Sequence, residues 1–391
     1  MTLPLEGIRI IELSTFITGP YAGMILGDLG AEVIKVERPD GGDPFRGYDA
    51  GDYSPQFCAY NRNKQSITLD LRKQDARNIL IELAARSDVV LENFRPGVTE
   101  KLGIGEDTLR KARSDLIYCS ITGFGHAGPY SHRPAYDTVA QGTGGLLGQL
   151  IDAENPLIPG PAIADSITGL YAGYGIAAAL LDRFRTGRGR RIDISMVEAV
   201  MAFTAEPFSS FFRTGKSSGP HSRASRSQSY AFACADEKMI AVHLSSPEKF
   251  HKGLLAAVDR LDLASDERFA LREDRVRNFK LFWEELAPIF RARPRSQWVD
   301  RLEANDVPFA PVYSLDEVES DPHIEYLDTI TEIEHPTEGR LKTLRPPFLI
   351  DGERIDAIAP PPVLGEHTDE VLDALDYTSQ DIARLRQEKA I

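Results

Sequence analysis

The 391-residue sequence holds only three cysteines, Cys58, Cys119 and Cys234. They lie far apart, with no C-x-x-C spacing and no even-numbered set, which excludes a disulfide framework and argues against a thiolate zinc site. Histidine is equally sparing of patterns: no H-E-x-x-H occurs, His126 and His132 read as ordinary loop residues, and no metal is expected. Basic residues are the minority, 45 against 59 acids, for a formal net charge of −14. Binders of nucleic acid or anionic membranes carry an overall or regional basic excess, so both partners are set aside. The same total leaves room for a local basic pocket that takes an anionic small molecule. Long apolar runs are missing too; none approaches the ~18 residues of a membrane span. The start, MTLPLEGIRIIEL, has no leader-like charged and apolar regions. A cytoplasmic protein in a reducing compartment is the expectation.

What is present is enough hydrophobic residue, 42%, to bury sizeable cores, over a length that favours two or three domains. IRIIEL (8–13) is an apolar run bounded by Gly7 and a turn region, and reads as a buried strand. GPYAGMILGDLG follows at helical spacing with Gly30 as its stop, then AEVIKVE (31–37) as a second strand ended by Pro39. Strand, helix and strand within about thirty residues make a parallel βαβ unit. SITLDL (66–71), DVVLENF (88–94), DLIYCSITGFG (115–125) and RRIDIS continue the series. An amphipathic helix lies in QDARNILIELAARS and a long one runs from Ser166 to about Phe184. The pattern predicts a doubly wound, Rossmann-like α/β large domain over residues 1–205. The Ser/Arg/Gly-rich stretch 206–229 reads as a linker or mobile loop. Residues 230–315 read as a smaller α+β domain, 316–346 as a Pro-punctuated return linker, and 347–391 as a C-terminal segment completing the large domain.

Several sharp motifs fail. After the first strand, Pro20 stands between Gly19 and Gly23, so G-x-G-x-x-G is absent, and with it the main support for a nicotinamide oxidoreductase. The Gly215-Lys216-Ser217 triplet lacks the upstream glycine of a phosphate loop, since Ser210 is there, and follows no buried strand. No G-x-S-x-G elbow occurs.

One carboxylate invites a closer reading. Asp165, in PAIADSITGLYAG (161–173), precedes an apolar helical run, where an aspartate is most often an N-cap. The preceding LIPGPAIA is apolar, and Gly169, Ala172, Gly173 and Gly175 let another backbone or a flat ligand approach the helix. Residue chemistry by itself leaves capping as the leading reading.

The long blocks GIRIIELSTFITGPYAGMILGDLGAEVIKVERPDGGDPFR, NRNKQSITLDL, VVLENFRPGV, SITGFGHAGPYSHRPAYDTVAQGTGG and ADSITGLYAGYGIAAALLDRFRTGRGRRIDISMVEA resemble the class III CoA-transferases. That family includes formyl-CoA transferase, carnitine CoA-transferase and α-methylacyl-CoA racemase. NDVPFAPVYSLDEVESDPHI, HPTEGRLKTLRPPF and PPVLGEHTDEVL extend the resemblance over nearly the whole chain, most weakly in 206–300. The resemblance implies that Asp165 is a nucleophile that relays CoA between carboxylic acids through an anhydride and an aspartyl-CoA thioester. It implies coenzyme A as part of the substrate, no tightly bound cofactor, a small carboxylic acid as second partner, and an interlocked homodimer. Succinyl-CoA and a small dicarboxylate fit the family's range.

By the same resemblance, Arg38, Asn63, Lys64, Asn93, Phe94, Arg95 and Lys101 belong to the CoA site, with Tyr136 and Asp137 beside them. Racemases carry histidine where Tyr136 stands, and a tyrosine hydroxyl near ~10 is a poor base at neutral pH. This favours CoA transfer over the epimerase alternative. Lys101 replaces an arginine of formyl-CoA transferases, keeping the charge but losing the bidentate fork. Ile17 replaces their glutamine, and their glycine-rich small-domain loop has no clear equivalent. A CoA-binding module without chemistry is the remaining reading. Arg213, Arg223 and Arg226 are candidates for binding the second carboxylate of a dicarboxylic acceptor.

Overall fold

Apolar, β-branched runs cut off by glycine, proline or polar turns become the strands of one sheet. The computed structural model describes residues 2–49, 53–245 and 247–391. It divides into two compact units, residues 1–146, 160–205 and 328–391, and residues 147–159 and 206–327. In the first unit, β1 (Arg9–Leu13), β2 (Glu32–Glu37), β3 (Lys64–Thr68), β4 (Val89–Glu92), β5 (Ile117–Thr122) and β6 (Arg191–Ser195) form a six-stranded sheet in the order β3-β2-β1-β4-β5-β6. Every pairing is parallel; Ile11, for example, pairs with Ile34 on one side and Val90 on the other. A parallel sheet is covered on both faces, which is why β4 and β5 are buried at every residue.

Side-chain alternation sends Ile11, Leu13, Ile34, Val36, Val90 and Tyr118 to one face, against the Gln74–Ala85 helix and the C-terminal Val371, Leu372, Ile382 and Leu385. Ile10, Val33, Val89, Leu91, Ile117 and Cys119 go to the other, against helices Thr18–Asp28 and Ile163–Thr186. Those two helices lie close because Gly169 has no side chain: a Cβ there would stand 2.7 Å from the Thr18 carbonyl oxygen. The C-terminal segment is tied to β3 by main-chain bonds, His367 N to Ser66 O at 2.9 Å among them.

The second unit has its own antiparallel sheet, ordered β7 (Ser229–Ala233), β8 (Met239–His243), β9 (Phe309–Val312). Its core stacks Phe232 on Phe290 with ring centroids 4.1 Å apart, and sets Phe290 tilted against Trp298 at 4.5 Å. Residues 206–229, expected as a linker, belong to this unit and carry helix at Ala205–Thr214 and Ser222–Ser227. Serine-rich sequence reads as loop, but here the hydroxyls of Ser225 and Ser227 donate to carbonyls three and four residues back and sit within helical turns. The antiparallel hairpin β10 (Ile330–His335) and β11 (Gly339–Leu344) returns the chain to the first unit. Among the described residues no helix is long and apolar enough to cross a membrane.

Candidate active site

An open parallel sheet whose order reverses between β1 and β4 leaves a crevice beyond the carboxyl ends of those two strands, the usual place for a ligand. Two cavities open there. The larger, of about 980 Å³, is lined by Leu13–Thr15 at the end of β1, Glu37–Asp40 at the end of β2, Leu69–Lys73 after β3, Phe94, and Lys389 and Ile391 of the tail. The smaller, of about 190 Å³, is lined by the post-β1 residues 15–18, the post-β4 residues 93–96, Arg133, Tyr136 and Asp165. Thr15 and Phe94 line both.

The two loops that frame the crevice are fastened to each other. Asn93 accepts from the Thr15 amide at 3.0 Å and donates to the Thr15 carbonyl at 2.8 Å and to the Thr18 hydroxyl at 3.0 Å. The Phe94 amide donates to Glu92 at 2.7 Å. Burial pushes the Glu92 carboxyl up to about 7, against the opposing hydrogen bonds from Ser120 and that amide.

Beneath the post-β1 loop lies a charge cluster with no exposure at all: Glu12, Lys35, Asp43 and Lys64. Lys35 reaches Glu12, Asp43 and the Ser14 carbonyl, each at 2.9 Å. Burial would lower the Lys35 ammonium, but Asp43, Glu12 and Glu37 outweigh it and hold the group above its usual value. Asp43 also accepts from the amides of Phe16 and Phe45. Phe16 is thereby kept at φ 65°, a left-handed conformation rare for a bulky residue, with its ring edge-on to Phe45 and Tyr136.

Asp165 is not the N-cap of its helix. The helix starts at Ile163, three residues before the expected Ser166, so Asp165 is the third helical residue. The cap comes from another element: Asp137 accepts from the amides of Ala164 at 2.8 Å and Asp165 at 3.3 Å, and its second oxygen holds Gln141 at 2.6 Å. The Asp165 side chain accepts no hydrogen bond from a described residue and lines the smaller cavity. Burial, with Asp137 adding repulsion, pushes its carboxyl up to about 7. A half-buried, unpartnered carboxylate on a cavity wall is equipped to attack an electrophile rather than to hold a helix end.

A family model for CoA-transferase family III matches residues 5–368. This chain belongs to that family. It is 33% identical over 389 residues to succinyl-CoA:glutarate CoA-transferase of Homo sapiens, covering 98% of this chain and 88% of that one. It is 34% identical over 324 residues to acetyl-CoA:oxalate CoA-transferase of Acetobacter aceti, over 82% of this chain and 83% of that one. A solved CAIB/BAIF family protein from Brucella suis matches with a TM-score of 0.86 at 32% identity, over 96% of this chain and 100% of the other.

Within this family III chain the expected site residues divide. Arg38 lines the larger cavity, Asn93, Arg95, Tyr136 and Asp165 the smaller, and Phe94 both. Lys64 lines neither cavity: its ammonium is fully buried and its three donors go to Glu12, the Pro20 carbonyl and Asn61, while burial lowers it to about 8. Asn63 lines neither cavity and instead joins Asp28 at 2.8 Å to the backbone of Ala359 at 2.6 Å. Lys101 is exposed and outside both cavities, though its neighbour Leu102 lines the larger. Asp137 lines neither cavity and caps the Asp165 helix. Arg213, Arg223 and Arg226 belong to the second unit, line neither cavity, and the last two lie 3.6 Å from Glu206. Glu37, the last residue of β2, is taken by Arg46, Ser66 and the Asp43 amide. Thr15, Phe16, Arg72, Lys73, Arg133 and Lys389 also line the cavities, outside any motif. Of these only the basic LRK run at 71–73, directly after a strand, carried a readable signal.

Proposed function

We propose that this chain is an acyl-CoA:carboxylate CoA-transferase with Asp165 as the nucleophile and a dicarboxylate as acceptor, succinyl-CoA serving as a donor. The observation that carries the reading is an unpartnered carboxylate on the wall of a small cavity that shares Thr15 and Phe94 with a much larger one. The larger cavity suits the nucleotide end of CoA. Its wall gathers Arg38, Arg72, Lys73 and Lys389, cations for phosphates on a chain that is acidic overall. The pantetheine arm then passes Thr15 and Phe94 and brings the thioester to Asp165. Acceptor chemistry is suggested by the relatives named above, whose acids, glutarate and oxalate, are both dicarboxylates.

The steps balance without a co-reactant. Asp165 attacks the acyl carbonyl and expels CoA thiolate, leaving an acyl-aspartyl anhydride. The thiolate attacks the aspartyl carbonyl, which releases the donor acid and leaves an aspartyl-CoA thioester. The acceptor carboxylate attacks that carbonyl, expelling the thiolate and forming a second anhydride. The thiolate takes the new acyl group and frees Asp165. The backbone amides at the helix start favour the returning carboxylate anion. An epimerase would need a base at position 136, where the exposed Tyr136 stands.

Incubating the protein with succinyl-CoA and measuring its intact mass tests the chemistry. A CoA thioester adduct is expected on the wild type, removed by hydroxylamine and absent from Asp165→Ala. An adduct that persists in the variant places the nucleophile elsewhere, and no adduct on either protein rejects covalent relay.

A further inference from the structure

The wall of the Asp165 cavity carries two guanidinium groups, Arg95 and Arg133. Neither makes an ion pair or a side-chain hydrogen bond with a described residue. Arg95 follows Phe94, the residue shared with the larger cavity, and itself lines only the smaller one. Arg133 comes from a different loop, after β5, and lines only the smaller cavity.

That loop is built to hold its arginine still. At its base, His126 Nε2 lies 2.9 Å from the Ser120 hydroxyl and 3.1 Å from Asp193, and the Gly125 amide donates to Thr122 at 2.9 Å. Further along, Tyr130 packs edge-on to Phe124 at 5.7 Å, and the Arg133 amide donates to the Tyr130 carbonyl at 2.9 Å. The Arg133 guanidinium carbon sits 3.7 Å over the Tyr130 ring. A stacked guanidinium is fixed through its π face, which leaves its N–H edge free. A free, oriented fork matches a carboxylate with two parallel hydrogen bonds.

We propose, resting on the CoA-transferase reading above, that Arg133 binds the second carboxylate of a short dicarboxylic acceptor and thereby sets acceptor class. One carboxylate of such an acid lies at Asp165, where it attacks; the other lies at Arg133. A cavity of about 190 Å³ suits a short diacid and is far smaller than its 980 Å³ neighbour. The residue selects by what it would leave unpaired: with a monocarboxylate, the methyl end faces an unneutralised guanidinium.

The test follows discharge of the preformed Asp165–CoA thioester by glutarate and by valerate, its analogue with one carboxylate, as a function of acid concentration. Arg133→Met should raise the half-saturating glutarate concentration about 10- to 100-fold, the range for a hydrogen bond to a charged group. Valerate discharge should not fall, which also shows that the variant is folded, while the KM for succinyl-CoA, whose acyl group carries a free carboxylate of its own, should rise alongside that for glutarate. Arg133→Lys should fall between. If valerate does not discharge the wild type, glutarate should fall to the same level in Arg133→Met. Equal losses for both acids, a change confined to succinyl-CoA, or no change each overturn the assignment. A wild type that forms no Asp165 adduct with succinyl-CoA rejects the CoA-transferase reading itself, a result separate from any behaviour of the variants.

Discussion

The carboxyl of Asp165 feels opposing influences. Burial and the neighbouring Asp137 push it up to about 7, while the N-terminal turn of a 24-residue helix favours its anion. Attack on a thioester needs the anion, so the rate of CoA-adduct formation should rise with pH through about 7 and level off above it. Asp137→Asn keeps an oxygen for the amides of Ala164 and Asp165 but removes the charge, so the midpoint should move to lower pH. A midpoint that stays put assigns the shift to burial alone. The same shift has a stability consequence. An acid held above its unfolded value of roughly 3.9 stabilises the fold fully below that pH, and the contribution is lost as pH rises towards the folded value. Asp165→Asn should therefore be more stable than wild type at pH 8, by about 1–2 kcal/mol, with the advantage gone near pH 4. Paired thermal melts at the two pH values read this directly.

At the scale of elements, Asp165 is where it is because the Ile163–Thr186 helix lies against Thr18–Asp28, and Gly169 permits that approach. Gly169→Ala would put a methyl 2.7 Å from the Thr18 carbonyl and 3.0 Å from Tyr21 Cβ, so the helices must separate. Overpacking of this kind costs about 1–3 kcal/mol. It also moves Asp165 relative to Thr15 and Thr18 on the same cavity wall, so kcat should fall by more than the folded fraction does. A variant with lowered melting temperature and unchanged kcat would detach this contact from catalysis. Strands β1, β2, β4 and β5 are legible because each is a largely apolar run between punctuating residues, a signal carried locally, whereas β3 (KQSIT) and β6 (RIDIS) are mostly polar. The start of the Asp165 helix is not legible, because its cap comes from Asp137, 28 residues earlier. Lys64 shows the same limit in another form. Its charge was plain in the sequence, but that it would be spent on Glu12 and Asn61 depends on a tertiary approach no local pattern announces. Arg72, Lys73 and Lys389 come together only when the tail returns to β3, and singly they look like any solvated charge.

At the scale of the whole molecule, the Ile163–Thr186 helix raises a question its own chain does not answer. Its inner face is buried against the sheet, yet Leu170, Tyr174, Leu181 and Phe184 are exposed, the last at 91%. Positions 170, 174, 181 and 184 fall along one stripe of a helix, so the exposure is continuous rather than scattered. Contiguous apolar surface of this kind marks an interaction site. The interlocked homodimer that the resemblance to class III CoA-transferases implies would cover this stripe with a second copy of the chain. Such a dimer has a distinctive behaviour. Its subunits cannot separate while folded, so dilution should leave its sedimentation unchanged, and in rising denaturant the loss of dimer and the loss of helical signal should share one transition. A dimer that dissociates first, with the helical signal intact, is associated but not interlocked. Leu181→Glu with Phe184→Glu places two charges on the stripe and should abolish assembly, with loss of folded protein if threading is real and a folded monomer if it is not.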